Sequence, residues 1–293
     1  MKIAKKHTPF ILTIPSLTIV LMVVVFPIAY CVYISFTNMN MYHWNKFNVI
    51  GIDNYIRTLK GIDVEFYRVL LRTIIWTVSN LALTVAIGLS LALLLNMKEI
   101  KYKGIIRTIL ILPWAVPSYI TSLMWKGMFN HDFGIINAAL EGIGIGRIEW
   151  LTSPTNAMIA CIIVNIWLSF PFMMVVCLGA LQSIDPTYYE AAEMDGASGI
   201  QKFTTITLRL IQPALIPAII LTTFVTFKQF DIIYLMTRGL AGKLDVVMTY
   251  GYNIAFDSKN YSLSSAFSVI VFFLLLGLTI VNMKVTKADR GMN

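Results

Sequence analysis

Catalysis needs clustered polar side chains, and this sequence offers few. Its three histidines, His7, His43 and His131, stand far apart. None has the H-E-x-x-H spacing that sets two imidazoles on one helix face beside a general base. There is no G-x-S-x-G nucleophile elbow and no G-x-x-x-x-G-K-[ST] phosphate loop; the one Gly-Lys pair, Gly242-Lys243, runs on into Leu244. Glu141-Gly142-Ile143-Gly144-Ile145-Gly146 lacks the last glycine of G-x-G-x-x-G and a strand before it, so it reads as a flexible loop. Cys31, Cys161 and Cys177 all fall in apolar stretches, where they pack as small apolar residues. They suggest neither a disulfide frame nor a thiolate metal site. No metal site is expected.

Two polar features remain. Lys228 and Asp231 lie three apart in an otherwise apolar stretch. On an unbroken helix they share a face. They are then either a self-neutralising pair that fixes the helix, or a contact for a substrate or a coupling ion. The second feature is Ser183-Ile184-Asp185-Pro186-Thr187-Tyr188-Tyr189-Glu190-Ala191-Ala192-Glu193-Met194-Asp195-Gly196-Ala197-Ser198-Gly199-Ile200-Gln201. Asp185 suits an N-cap, Pro186 a first helical position and Gly196 a left-handed C-terminal stop, which gives a short helix over Pro186–Asp195. Ser198-x-x-Gln201 is a capping box that opens a second helix. Small Ala191 and Ala192 admit another surface close to the backbone. Glu190 and Glu193 share a face and offer carboxylates to a basic partner, while Tyr188 and Tyr189 add aromatic contact area. The short helix suits contact with a partner; the alternative is an ordinary surface loop between two spans.

The elements that position these residues follow from charge. Only 13% of the 293 residues are charged and 57% are apolar, against about 25% charged in a soluble domain. Thirty-six aromatic residues (6 Trp, 13 Tyr and 17 Phe) exclude disorder. Asp, Glu, Lys and Arg are absent between Lys6 and Lys46, and from 73–97, 108–125, 150–184, 210–227 and 260–283. Crossing a bilayer as a helix takes about 20 residues. Six transmembrane helices are therefore expected, at about 10–36, 73–97, 107–129, 155–181, 210–235 and 261–283, in one all-α polytopic domain over 1–293. The first is too long for a signal peptide and lacks a small-residue cleavage site, so it reads as a retained span. The window 246–256 is too short and polar to cross, and Thr37–Leu71 is expected to hold one or two short interfacial helices.

With the N-terminus inside, the cytoplasmic segments carry 12 of the 23 basic residues in about 60 residues, against ten in roughly 85 outside. This favours both termini in the cytoplasm. The net charge of +8 then needs no nucleic acid, because basic cytoplasmic loops face anionic lipid.

Glu190-Ala191-Ala192-x-x-x-Gly196, followed ten residues later by Ile206-x-Leu208, resembles the "EAA" loop of permease subunits in binding-protein-dependent ABC importers. The family's proline after that leucine is here Arg209, with Pro213 four residues on. Ile111-Leu112-Pro113-Trp114-Ala115-Val116-Pro117-Ser118 and Asn165-x-Trp167-Leu168-Ser169-Phe170-Pro171-Phe172-Met173-Met174 are similar to segments of the larger permease of maltose-type transporters. The similarity covers about Arg72–Met283. The longest family members have extra N-terminal spans and a large external insertion, which this sequence lacks.

The resemblance implies a permease of a bacterial plasma membrane, with no nucleotide site of its own and no enzymatic activity. Its implied partners are a second homologous permease, two cytoplasmic ATP-binding subunits that hold ATP and Mg, and an extracytoplasmic sugar-binding protein. Its cargo would be an oligosaccharide, maltose- or maltooligosaccharide-like. Over the coupling loop 185–208 the implied contacts to the ATPase are Tyr188, Glu190, Ala191, Ala192, Asp195 and Gly196. The implied sugar contacts are Leu168, Ser169, Phe172, Val225, Thr226 and Gln229; five of these, all but Leu168, depart from the residue types of the maltose-type member. Pro113, Pro117, Pro171 and Pro217 each remove a backbone hydrogen bond from a span, as expected either of helices that line a pathway or of a kink made for packing alone. The reading of another class is an ion-coupled carrier acting alone, with Asp231 as its coupling acid. A membrane-bound enzyme lacks catalytic clusters.

Overall fold

The computed structural model describes residues 8–62, 64–240 and 242–290; Lys2, Lys5, Lys6 and His7 lie outside them. Along the chain run α1 (Thr8–Val20), α2 (Phe26–Ser35), α3 (Asp53–Leu59), α4 (Phe66–Asn96), α5 (Lys103–Ala115), α6 (Ser118–Met128) and α7 (Ile135–Gly142). There follow α8 (Pro154–Gln182), α9 (Thr187–Met194), α10 (Gly199–Lys202), α11 (Leu208–Phe227), α12 (Asp231–Thr237), α13 (Val247–Phe256) and α14 (Tyr261–Arg290). Among the described residues β-pairing is confined to one antiparallel bridge, Thr37 to Val49. The chain is all-α.

The charge-free windows become helices, with two exceptions in shape. A π turn at Leu21–Val25 joins α1 to α2 in one span, while α4 and α8 are unbroken. The third expected span, 107–129, is not one rod: α5 and α6 meet at 96°. Pro117 is the cause, because the residue before a proline is pushed out of the helical region; Val116 is extended at φ −87°, ψ 129°. The fifth, expected over 210–235, stops at Phe227 and restarts as α12 at Asp231. The last helix, α14, covers the sixth expected span, 261–283.

The chain forms two compact units. The first comprises residues up to Tyr67 together with Tyr250–Met283. Here the segment between α2 and α4 holds a 3-10 turn at Met41–His43 and one short helix, α3, where one or two were expected of Thr37–Leu71. Asn54 anchors it by donating from Nδ2 to the carbonyls of Ser35 and Thr37. His43 Nδ1 sits 3.1 Å from Asn40 Oδ1, a local turn contact.

The second unit, Arg68–Thr249 with the chain after Met283, contains the rest of α4 and α5 to α12. Its long helix α8 serves two apolar clusters. Ala157, Ala160, Cys161 and Val164 pack with Trp76, Phe129, Ile232, Ile233 and Met236. Met173, Met174, Cys177, Leu178 and Leu181 pack with Ala92, Leu95, Ile211 and Ala218. Helix α4 comes close enough to α8 that a Cβ on Gly88 would stand 2.7 Å from Met173 Cβ. Small residues permit such backbone approach where no water drives helix association.

The loop between α6 and α8 is built on Asn137. Its Nδ2 donates to the carbonyls of His131 and Ile148, and its Oδ1 accepts from the Ile148 N–H and Trp150 Nε1. Glu141 and Gly142 end α7, and 143–146 follow as the expected loop; Arg147 pairs with Glu141 at 3.1 Å.

Candidate functional site

Between the two clusters on α8 lie Asn165, Leu168, Ser169 and Phe172, and these face a cavity of about 540 Å³. Its walls come from α8, from α11 and from the bend between α5 and α6. All six residues singled out for a sugar contact line it: Leu168, Ser169 and Phe172 from α8, Val225 and Thr226 from α11, and Gln229 from the break after it. Trp114, Ser118, Asn165 and Thr222 line it too. The Trp114 and Phe172 rings lie 5.9 Å apart at 46°, presenting aromatic surface to the space. The Thr222 hydroxyl is buried with no hydrogen-bond partner among the described residues.

Sequence reasoning missed these four as site residues. Asn165 and Thr222 are polar groups in charge-free windows, a mark of function at membrane depth. Trp114 and Ser118 flank the Val116-Pro117 break, whose geometry brings them to the wall.

A hydrogen-bond relay crosses three helices behind the cavity. Trp76 Nε1 donates to the Thr226 carbonyl at 2.9 Å, at the end of α11 where the helix no longer supplies a full set of donors. Asn80 Nδ2 donates to the Trp76 carbonyl at 2.7 Å, and Asn165 Nδ2 donates to Asn80 Oδ1 at 2.9 Å. Buried amides at membrane depth need such partners.

Lys228 and Asp231 do not share a helix face. Lys228 caps α11 and is exposed, and Asp231 opens α12 after the break. The Asp231 carboxylate instead accepts from the Ser118 hydroxyl at 2.5 Å, so the first residues of α6 and α12 are tied to each other. Among the described residues no group of three His, Cys, Asp or Glu is placed to hold a metal ion.

The loop between α8 and α11 folds as its caps dictate. Asp185 Oδ1 accepts from the Thr187 N–H at 2.9 Å, and this bond, with one from the Thr187 side chain, holds the Asp185 carboxyl below its usual range. At the far end Gly196 adopts φ +75°. Its N–H bonds the Glu193 carbonyl while the Ala197 N–H bonds that of Ala192, the paired bonds of a Schellman stop. Ser198 and Gln201 form the expected reciprocal box.

Helix α9 lacks buried residues. Tyr188, Glu190, Ala191, Asp195 and Gly196 are exposed and Ala192 is half-buried. Two neighbours differ from expectation. Tyr189 turns inward, its hydroxyl 2.9 Å from Thr207 Oγ1, and so seats α9 on the π turn Phe203–Thr207. Glu193 is engaged by Lys202 at 2.6 Å, which lowers its pKa by hydrogen bonding and then by charge. Both carboxylates are exposed, and Glu193 is the one engaged by a cation of its own chain.

The family model for the binding-protein-dependent transport system inner membrane component matches residues 84–293. The chain belongs to this family. The permease is 34% identical over 300 residues to the galactooligosaccharides transport system permease protein GanP of Bacillus subtilis, covering 96% of this chain and 70% of that protein. It is 34% identical over 293 residues to the trehalose/maltose transport system permease protein MalF of Thermococcus litoralis, covering 99% and 97%. Against the maltose/maltodextrin transport system permease protein MalF of Klebsiella aerogenes the identity is 39% over 252 residues, 81% of this chain and 49% of that protein. The chain thus spans about half the length of such maltose/maltodextrin relatives. A chain of the solved bacterial ABC transporter involved in the import of the acidic polysaccharide alginate superposes with a TM-score of 0.81 at 23% identity, covering 95% of this chain and 94% of that one. The permease shares that fold.

Proposed function

We propose that this permease carries an oligosaccharide across a bacterial plasma membrane as one half of the translocation path of an ABC importer. A second homologous permease forms the other half. Two cytoplasmic ATP-binding subunits hold ATP and Mg, hydrolyse the nucleotide and receive the coupling helices; an extracytoplasmic binding protein delivers the sugar. Both termini lie in the cytoplasm.

The observation that carries the reading is the convergence of Leu168, Ser169, Phe172, Val225, Thr226 and Gln229 on one cavity. Ring surface from Phe172 and Trp114 suits the apolar face of a pyranose, and Ser169, Thr226 and Gln229 suit its hydroxyls. Relatives named for maltose, maltodextrin, trehalose and galactooligosaccharides support a neutral sugar. We read it as maltose- or maltooligosaccharide-like.

In this mechanism α9 enters a cleft of an ATPase through Tyr188, Glu190, Ala191, Ala192, Asp195 and Gly196. A short helix stopped at both ends does not fray, so it transmits rigid-body motion. Tyr189 on Thr207 and Lys202 on Glu193 pass that motion to the helix leading into α11, which carries part of the cavity wall. Closure of the ATPases turns the path outward, and reopening releases sugar inward.

The test begins with purification of the tagged chain from its native membranes in mild detergent, with mass spectrometry of what accompanies it. A second permease and a P-loop ATPase in the proportion one to one to two are expected, with uptake of maltooligosaccharide that survives an uncoupler and is lost in Glu190→Ala. A chain that purifies alone, with uptake abolished by the uncoupler and by Asp231→Asn, would establish a carrier instead.

A further inference from the structure

We propose that Asp231 and Asn80, neither of which lines the cavity, are positioning residues that fix hydrogen-bond acceptors on its wall. The site then selects its ligand by the hydroxyl hydrogens the ligand donates. This rests on the reading that the cavity holds the sugar.

The polarity follows from what each group can do. Ser118 lines the cavity and has one hydroxyl proton. Asp231 Oδ2 stands 2.5 Å from that hydroxyl, and a carboxylate only accepts. The proton is therefore committed to Asp231, and the Ser118 oxygen meets any ligand as an acceptor.

The same logic fixes Asn165 through a chain of three groups. The Trp76 carbonyl only accepts, so Asn80 must turn its NH2 toward it, at 2.7 Å. That leaves Asn80 Oδ1 toward Asn165, which must answer with its own NH2, at 2.9 Å. The remaining Asn165 Oδ1 is an acceptor, on a residue that lines the cavity. A carbonyl at one end thus sets the orientation of two amides on α4 and α8, although neither amide would declare it alone. Thr222, buried and without a partner among the described residues, adds a hydroxyl that gains a bond when a ligand arrives.

A wall of this kind distinguishes a hydroxyl from a group of similar size that cannot donate. Replacing one sugar hydroxyl by fluorine removes the proton and keeps the shape. At the hydroxyl that meets Ser118, or at the one that meets Asn165, a neutral hydrogen bond is lost, a change of about fivefold.

The experiment uses the complete transporter in proteoliposomes, with saturating loaded binding protein, so that the rate reads the permease and not delivery. Maltotriose is compared with its monodeoxyfluoro derivatives, one position at a time, as the ratio of analogue rate to parent rate. The unaltered permease is expected to slow about fivefold at one or more positions. Asp231→Asn offers an NH2 to Ser118 and frees the serine proton to turn to the ligand; the ratio at one sensitive position is expected to return to within about twofold. Ser118→Ala, which removes a single oxygen, should erase the same position. Asn80→Leu should erase a different one. Ratios unchanged in Ser118→Ala and Asp231→Asn, or parent and analogue slowed equally at every position, would overturn the assignment. Failure of the unaltered transporter to move maltotriose, trehalose or a galactooligosaccharide would instead sink the sugar-import reading beneath it.

Discussion

The Lys202 ammonium stands 2.6 Å from the Glu193 carboxylate, joining the last turn of α9 to the last residue of α10. The pair spans the Gly196 stop, so two helices that the stop separates are held at a fixed angle. Both side chains are at least partly exposed, and an exposed pair adds little to global stability. Its effect is local, on the stiffness of the segment from α9 to α10.

That contact gives a pH dependence of defined sign. The Glu193 pKa is lowered by Lys202, and that of Asp185 by the Thr187 N–H and side chain. A carboxyl with a depressed pKa in the folded chain stabilises above its ordinary value and loses that contribution as pH falls through the depressed one. Hydrogen-exchange protection of residues 187–202, corrected for intrinsic rate, is therefore expected to be constant near neutrality and to fall below about pH 4. Glu193→Gln should lower protection at neutral pH and flatten the acid response, and high salt should mimic it in part.

Gly196 at φ +75° sits in open space, and a Cβ added there would meet no heavy atom within 4 Å. The cost of Gly196→Ala is therefore conformational, about 1 kcal/mol. Gly196→Asn tolerates the left-handed region and should recover most of the loss. The expected order of sugar-stimulated ATP hydrolysis is Gly, then Asn, then Ala, with Gly196→Pro inactive because proline cannot reach positive φ. An Ala variant as active as the parent would mean that the Schellman stop does not matter to coupling.

Gly88 tests packing between α4 and α8. A Cβ there would meet Met173 Cβ at 2.7 Å, Met173 Cγ at 2.9 Å and the Met174 backbone nitrogen at 3.0 Å. Backbone and Cβ atoms cannot swing aside, so Gly88→Ala should destabilise by about 1–3 kcal/mol. Gly179, on the same α8 and with nothing within 4 Å, is the control. Gly179→Ala should be neutral or slightly stabilising, since alanine is the better helix former. Thermal unfolding in detergent, followed by tryptophan fluorescence, separates the two.

Much of this architecture is legible in the sequence because charge is costly in hydrocarbon. The gaps between charged residues delimit α4 and α8 to within a few residues or, for the start of α4, two turns. The caps at Asp185, Gly196 and Ser198 foretell α9 and α10 because each satisfies backbone groups locally. What the sequence conceals depends on contacts between distant segments. The break after Phe227 carries no proline or glycine, so Lys228 and Asp231 look like helix neighbours; Trp76 and Ser118, from α4 and α6, are what accommodate it. Tyr188 and Tyr189 look alike in sequence, and Thr207 alone tells them apart. The six residues of α8, α11 and the break after α11 were reachable through a resemblance, whereas Trp114 and Ser118 reach the cavity by way of the 96° bend.

That bend can be put to the test at Pro117. Proline there removes one backbone donor and drives Val116 into the extended region, whereas alanine would permit helix through both positions. A proline inside a helix costs about 3 kcal/mol, so Pro117→Ala makes a straight α5–α6 rod more favourable by an amount of that order. Opposing it are the contacts that need the bend: the Ser118–Asp231 bond, buried Thr121 and Ser122, and the packing of α6 on α12. Those contacts bury side chains in the protein interior, and straightening would uncover them, so the chain should still fold and insert. The 96° angle should nevertheless open enough to lengthen the Ser118–Asp231 bond and draw Val116, Pro117 and Ser118 away from the wall they share with Gln229. Sugar uptake is expected to fall at least about tenfold, roughly 1.4 kcal/mol in the limiting step, with the amount of protein in the membrane unchanged. Crosslinking between cysteines placed at 118 and 231, in a chain relieved of its three native cysteines, should be efficient with Pro117 in place and weak in the Pro117→Ala background. Pro213→Ala, where α11 continues through the proline without a break, should leave uptake near its parent value. Equal loss from both substitutions would show that proline content, and not this bend, sets the rate.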